Sequence, residues 1–157
     1  MPTILEGRFD GRDRRVAIAA ARFNTPIVDQ LIAGAVEILT RHGVAETDLT
    51  IARVPGAWEL PVTVRRLART GRYQAVIALG CVIRGDTPHF DYVAGGCANG
   101  LASAGRHNDL DVPVLFGVLT TENTEQAWAR AGLKAGNKGA EAALAALEMM
   151  SLLDAIK

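Results

Sequence analysis

Two cysteines in 157 residues are too few for a disulfide framework, and Cys81 and Cys97 lack the closely spaced cysteine or histidine partners of a zinc site. Both are expected to be free thiols, in a reducing compartment. Net charge is missing too. Seventeen basic and seventeen acidic side chains cancel, so no global field recommends nucleic acid or an anionic membrane as partner. No apolar run approaches transmembrane length, and the amino terminus does not combine a basic start, a sustained apolar core and a cleavage site. The expectation is a cytoplasmic protein. Internal repeats and low-complexity tracts are absent, and the cluster Arg12-Asp13-Arg14-Arg15 is short enough to read as a solvated turn.

What is present is a globular composition, 49% apolar and 22% charged, long enough to bury a core as one domain over residues 1–157 without disulfides or metal. Apolar runs bounded by turn residues recur at Val16–Ala21, Leu49–Val54, Ala75–Leu79 and Val112–Leu119, each followed by helical spacing. Continuous rather than alternating apolar character suits strands covered on both faces. The pattern therefore predicts a three-layer α/β/α sandwich around a mainly parallel, four-stranded sheet. After the first strand, Thr25 can cap a helix with Pro26 in its first turn, an inward stripe of Ile27, Leu31, Ile32, Ala35, Ile38 and Leu39, and a stop at Gly43. Leu60, Val64, Leu67 and Ala68 share a second helical face, with Arg65, Arg66 and Arg69 turned outward. Tyr92 to Arg106 reads as a weak helix because glycine costs about 1 kcal/mol relative to alanine; close packing against a neighbour would explain that composition. Ala140 to Leu153 reads as a strong one. Thr3 to Phe9 can add a short strand at a sheet edge, where an uncovered ladder invites another chain.

The chemistry concentrates in Gly80 to Val93, directly after the third apolar run. His89 carries the side chain whose ordinary pKa suits proton transfer near neutrality. The amides and hydroxyl around Gly85, Asp86 and Thr87 can grip an anion beside it. The same imidazole, flanked by Phe90 and Tyr92, can equally be a packed, hydrogen-bonded histidine. In open α/β sheets ligands settle beyond the carboxyl ends of the strands, and the loops Arg22-Phe23-Asn24 and Pro55 to Glu59 converge there with the His89 segment. Phe23 can stack on a flat heterocycle or plug the helix start. Trp58 reads first as core, and Glu59 either accepts from hydroxyls or answers a helix dipole. Gly132 to Gly139 departs from the Walker A spacing and reads as a glycine-rich connection between helices. Arg130, just before it, is the better phosphate ligand, since guanidinium can engage two oxygens at once.

Five ordered motifs are specific in combination: ARFN at Ala21–Asn24, VPGAWELP at Val54–Pro61, ALGCVIRGDTPHFDYV at Ala78–Val93, FGVLTTEN at Phe116–Asn123 and ARAGLKAGNKGAEAA from Ala129. Together they closely resemble the lumazine synthase family over essentially the whole chain. The resemblance implies a flavodoxin-like fold, an N-terminal strand pairing with a neighbouring subunit, and no metal or organic cofactor. It implies condensation of 5-amino-6-(D-ribitylamino)uracil with 3,4-dihydroxy-2-butanone 4-phosphate to 6,7-dimethyl-8-ribityllumazine, the penultimate step of riboflavin biosynthesis. Position by position, Phe23 would stack on the pyrimidine; Ala57, Trp58 and Glu59 would line the uracil and ribityl pocket; and Cys81, Val82 and Ile83 would meet the ring through backbone groups. Asp86, Thr87 and Arg130 would take the phosphate, His89 would donate protons, and Phe116 and Arg130 would come from the adjacent subunit. Asn24 and Lys138 are further candidates for the site. Cys81 stands where threonine is common in the family, and Trp58 where a smaller aromatic is usual. Members form pentamers, some of which build hollow shells of twelve pentamers, and riboflavin synthase is a candidate partner. Two rival readings stay open: a flavin- or lumazine-binding protein without turnover, and a shell-forming structural protein with weak catalysis.

Overall fold

The structure is a computed structural model that describes residues 1–106 and 111–156. Four parallel strands, β1 (Val16–Ala21), β2 (Leu49–Val54), β3 (Ala75–Ile83) and β4 (Val114–Thr121), form a sheet in the order β2-β1-β3-β4. Helices α1 (Thr25–Arg41) and α5 (Lys138–Ala155) cover one face, and α2 (Leu60–Arg69) and α3 (His89–Ala104) cover the other. The period of two along each strand distributes the core between them. Val16, Ile18, Ile77 and Leu79 point into the first layer, and Ala17, Ala19, Val76 and Ala78 into the second. With both faces roofed, an alternating polar residue would be buried without a partner, which is why the central strands read as unbroken apolar runs.

The α1 stripe falls largely as expected, with Val28 joining Ile27, Leu31, Ala35 and Leu39 in the core and Ile32 and Ile38 only partly buried. The helix start differs. Asn24, in a left-handed conformation at φ 63°, occupies the cap position, and Thr25 is the first helical residue, its hydroxyl donating back to the Arg22 carbonyl. At the other end Gly43, φ +104°, supplies the left-handed turn that stops the helix. In α3 the glycines have a packing reason. A Cβ on Gly96 would meet Trp58 Cζ3 at 2.3 Å, and one on Gly100 would meet Pro61 Cβ at 2.6 Å. Here α3 lies directly against the turn that leads into α2.

Two further expectations are corrected. The helix read from Tyr92 begins earlier, at His89, after a Pro88 cap. The connection after the short helix α4 (Thr124–Ala129) is not plain coil but a hairpin, β5 (Ala131–Leu133) and β6 (Gly136–Asn137), with Gly132 and Gly136 at positive φ. Thr3 to Phe9 pairs with no strand of its own chain: Gly7 packs on the Glu148 carbonyl of α5, and Ile4, Leu5 and Phe9 stay exposed. Arg12, Arg14 and Arg15 of the basic turn pair with Asp10, Asp154 and Asp48 respectively.

Candidate functional site

The order β2-β1-β3 places the topological switch point between β1 and β3, where successive connections leave in opposite directions and open a crevice above the strand ends. Hydrogen bonds stitch the crevice walls together. The amides of Arg22 and Phe23 donate to the carbonyls of Val54 (2.7 Å) and Pro55 (3.0 Å), joining the β1 loop to the β2 loop. The left-handed turn at Asn24 then aims its side-chain amide at the Cys81 carbonyl, 2.9 Å away, joining the same loop to β3. Phe23, held between these two anchors, projects its ring outward at 72% exposure.

A cavity of about 720 Å³ fills the crevice, within the usual range for small-molecule sites. Of the sequence candidates, Phe23, Ala57, Trp58, Glu59, Cys81, Val82, Ile83, Thr87 and His89 line it. Phe23 is therefore no plug, and Trp58, 60% exposed, is not the core residue that its local sequence suggested; the benzo ring rests on Gly96 and borders the cavity. The carboxylate of half-buried Glu59 accepts no hydrogen bond among the described residues, which leaves it available to hydroxyls. Burial pushes the Cys81 thiol up to about 11, so near neutrality it is a protonated, apolar core group and no nucleophile. Asn24 acts through Cys81 and does not border the space, and Asp86 is exposed between two lining residues, Gly85 and Thr87.

Several lining residues were not singled out from sequence as ligand contacts, among them Pro55, Gly56, Phe90 and Tyr92. For Tyr92 the signal lay in its spacing: it follows His89 by one helical turn, legible once α3 is known to start at His89.

Phe116, Arg130 and Lys138 stand apart from this group. They line a second cavity of about 480 Å³ together with Thr120, Thr121 and Glu141, against β4 at the edge of the sheet. The hairpin explains the pairing of Arg130 with Lys138: Ala131 pairs with Asn137, and the Lys138 amide donates to the Arg130 carbonyl at 2.8 Å. Asn137 fixes the base of this unit. Its side-chain oxygen accepts from the Ala140 amide to cap α5, and its side-chain amide donates to the Gln30 carbonyl of α1, both at 3.0 Å. Within one chain, the imidazole and the flat ring thus share a hollow while the guanidinium belongs to another.

Among the described residues there is no cluster of three or more His, Cys, Asp or Glu side chains able to hold a metal, and no helix is long and apolar enough to cross a membrane. A family model described as 6,7-dimethyl-8-ribityllumazine synthase matches residues 13–154 of the chain.

Proposed function

The chain belongs to the 6,7-dimethyl-8-ribityllumazine synthase family, a family of transferases of riboflavin biosynthesis, and from that premise we propose that it condenses 5-amino-6-(D-ribitylamino)uracil with 3,4-dihydroxy-2-butanone 4-phosphate, releasing phosphate and water. The observation that carries this reading is the convergence of Phe23, Trp58, Glu59, Cys81 to Ile83, Thr87 and His89 on one cavity. Phe23 offers a face for the pyrimidine and Glu59 an acceptor for ribityl hydroxyls. The Gly85 to Thr87 segment, with the positive end of α3 behind it, receives the phosphate. Asp86 takes part through its backbone and Thr87 through its hydroxyl as well. The pyrimidine amine attacks the ketone to give an imine with loss of water, phosphate is eliminated, and ring closure with loss of a second water completes the product. Each stage moves a proton, and His89 shuttles it.

Because amines and ketones condense readily, alignment of the two substrates supplies much of the rate, roughly 7–11 kcal/mol in well-oriented cases. General acid-base help from His89 adds about a hundredfold, the lower end of its usual range.

The separation of Phe116, Arg130 and Lys138 into a second cavity at the sheet edge supports a site shared between subunits, in which these residues complete the His89 cavity of an adjacent chain. The unpaired Thr3 to Phe9 segment, with its exposed apolar residues, fits the same arrangement as a strand donated to a neighbour. The assembly is then a homopentamer, or twelve pentamers in a shell, of one-domain subunits in the cytoplasm, with riboflavin synthase as a candidate partner. The test is to mix the purified protein with both substrates and follow the lumazine chromophore. Absorbance growing well beyond one equivalent per subunit is the expected result; a plateau at or below that point would leave a binding protein or a structural one, and sedimentation then separates those two.

A further inference from the structure

Arg84 stands between the two cavities and lines neither. It follows the last residue of β3, and its amide donates to the Thr121 carbonyl of β4 at 2.8 Å. Its guanidinium is committed on three sides. Nε donates to Glu122 Oε2 at 2.7 Å, Nη1 lies 3.3 Å from Asp91 Oδ1 in the first turn of α3, and the cation sits 4.4 Å from the centroid of the Phe90 ring. Glu122 hydrogen bonding, the main cause, and the charge of Asp91 both raise the pKa of Arg84 from its ordinary value.

The segment between these anchors is otherwise loosely held. Pro88 gives α3 no side-chain cap, and among the described residues Asp86, Thr87 and His89 make no side-chain hydrogen bond or ion pair. The one internal backbone bond runs from the Asp91 amide to the Pro88 carbonyl, 3.0 Å. Single exposed ion pairs contribute little, but two carboxylates and a ring on one guanidinium form a network that fixes geometry. We infer that Arg84 is a positioning residue: clamped by Glu122, Asp91 and Phe90, it closes the segment from Gly85 to His89 against the sheet and so aims the imidazole into the first cavity.

This inference rests on the condensation proposed above. It does not make Arg84 a phosphate ligand, because Nε and Nη1 are directed at carboxylates and the residue lines neither cavity. It also gives Asp91 a counter-ion, so that this acidic side chain in the first helical turn does not repel an anion held by the neighbouring amides.

The test compares Arg84→Met, which keeps the stem and removes the charge, with Arg84→Lys, Glu122→Gln and the Arg84→Met/Glu122→Gln double variant. Turnover of Arg84→Met should fall by about thirtyfold or more, since misplacement of a catalytic group by an ångström can cost about a hundredfold. KM for each substrate should stay within roughly threefold, and Arg84→Lys, which cannot span both carboxylates, should recover only part of the loss. The double variant should be no worse than Arg84→Met, as expected of partners in one network. Amide exchange over residues 85–91 should be about tenfold faster in Arg84→Met, a readout independent of substrate. Should the wild-type protein form no lumazine, the proposed reaction fails while the exchange comparison still decides whether Arg84 holds the segment. Unchanged exchange, additive losses in the double variant, or a defect confined to KM for the butanone phosphate would each overturn the inference. If Arg84→Met does not fold, Glu122→Gln is read alone by the same kinetics and exchange.

Discussion

Replacing Gly96 by alanine should change what the cavity accepts while leaving the fold almost untouched. The added Cβ would lie 2.3 Å from Trp58 Cζ3 and 3.1 Å from Cε3, against an ordinary carbon separation of about 3.5–4.0 Å. The indole must therefore move by roughly 1–1.5 Å. It can do so cheaply, because Trp58 is 60% exposed and swings into open space instead of into the core. Alanine also favours α3 by up to about 1 kcal/mol, which offsets the lost ring contact. The net change in stability should be below about 1 kcal/mol, read from the denaturant midpoint. Function should respond differently. A displaced cavity wall of that size can cost between tenfold and a hundredfold, and the loss should appear mainly as weaker pyrimidine binding, measured by titration of the ribitylaminouracil. Trp58→Phe, which shortens the ring at the point of collision, should restore much of the affinity in the Gly96→Ala background. Unchanged pyrimidine affinity in Gly96→Ala would show that Trp58 does not shape the binding space. A stability loss of about 3 kcal/mol or more would show instead that Gly96 serves the core.

His89→Ala and Arg130→Met should each slow turnover by about a hundredfold, the first with pyrimidine binding intact and the second through poor use of the phosphorylated ketone. Co-assembled in equal amounts, the two variants should recover about a quarter of wild-type activity if each site draws the two residues from different chains; no recovery after verified co-assembly would place both residues in one chain's site. The thiols of Cys81 and Cys97 are both pushed up to about 11 by burial from an ordinary 9.0. Below pH 9.0 folded and unfolded chains hold these protons alike and the stability is complete; as pH rises towards about 11 the unfolded chain releases them first and stability falls. Each thiol accounts for about 2–3 kcal/mol of that loss, so Cys97→Ala should flatten the alkaline decline in urea midpoint by roughly half its thiol component, and an unaltered decline would contradict the burial argument. Asn137→Ala removes the α5 cap and the tie to Gln30, and should cost about 2 kcal/mol; a loss under about 0.5 kcal/mol would mean that neither bond holds α5 against α1.

Much of the architecture is legible in the sequence. The apolar runs located the four strands of the parallel sheet to within a few residues, most plainly β1 and β3, because a strand roofed on both faces tolerates no polar alternation. The expected loops of the first cavity also converge, since parallel topology sends all carboxyl ends of the strands to one side. Local chemistry misled where a distant group decided the outcome. Trp58 looked like core, but the space it needs is provided by Gly96 nearly forty residues later, and that contact leaves the indole at the cavity wall. Thr25 looked like a helix cap, but the bond from Asn24 to Cys81 fixes Asn24 in the left-handed turn that starts the helix.

The amino-acid sequence by itself determined the layers, the parallel order of strand and helix, and the identity of the groups able to do chemistry, because periodicity and residue type are local properties of the chain. Tertiary structure alone decided how those groups are shared out: His89 and Phe23 in one hollow, Phe116, Arg130 and Lys138 in another, with Arg84 tied to carboxylates between them. That division depends on which strand ends at which edge and on bonds between residues far apart in the chain, such as Arg84 with Glu122 and Asn24 with Cys81. No window of neighbouring residues contains that information.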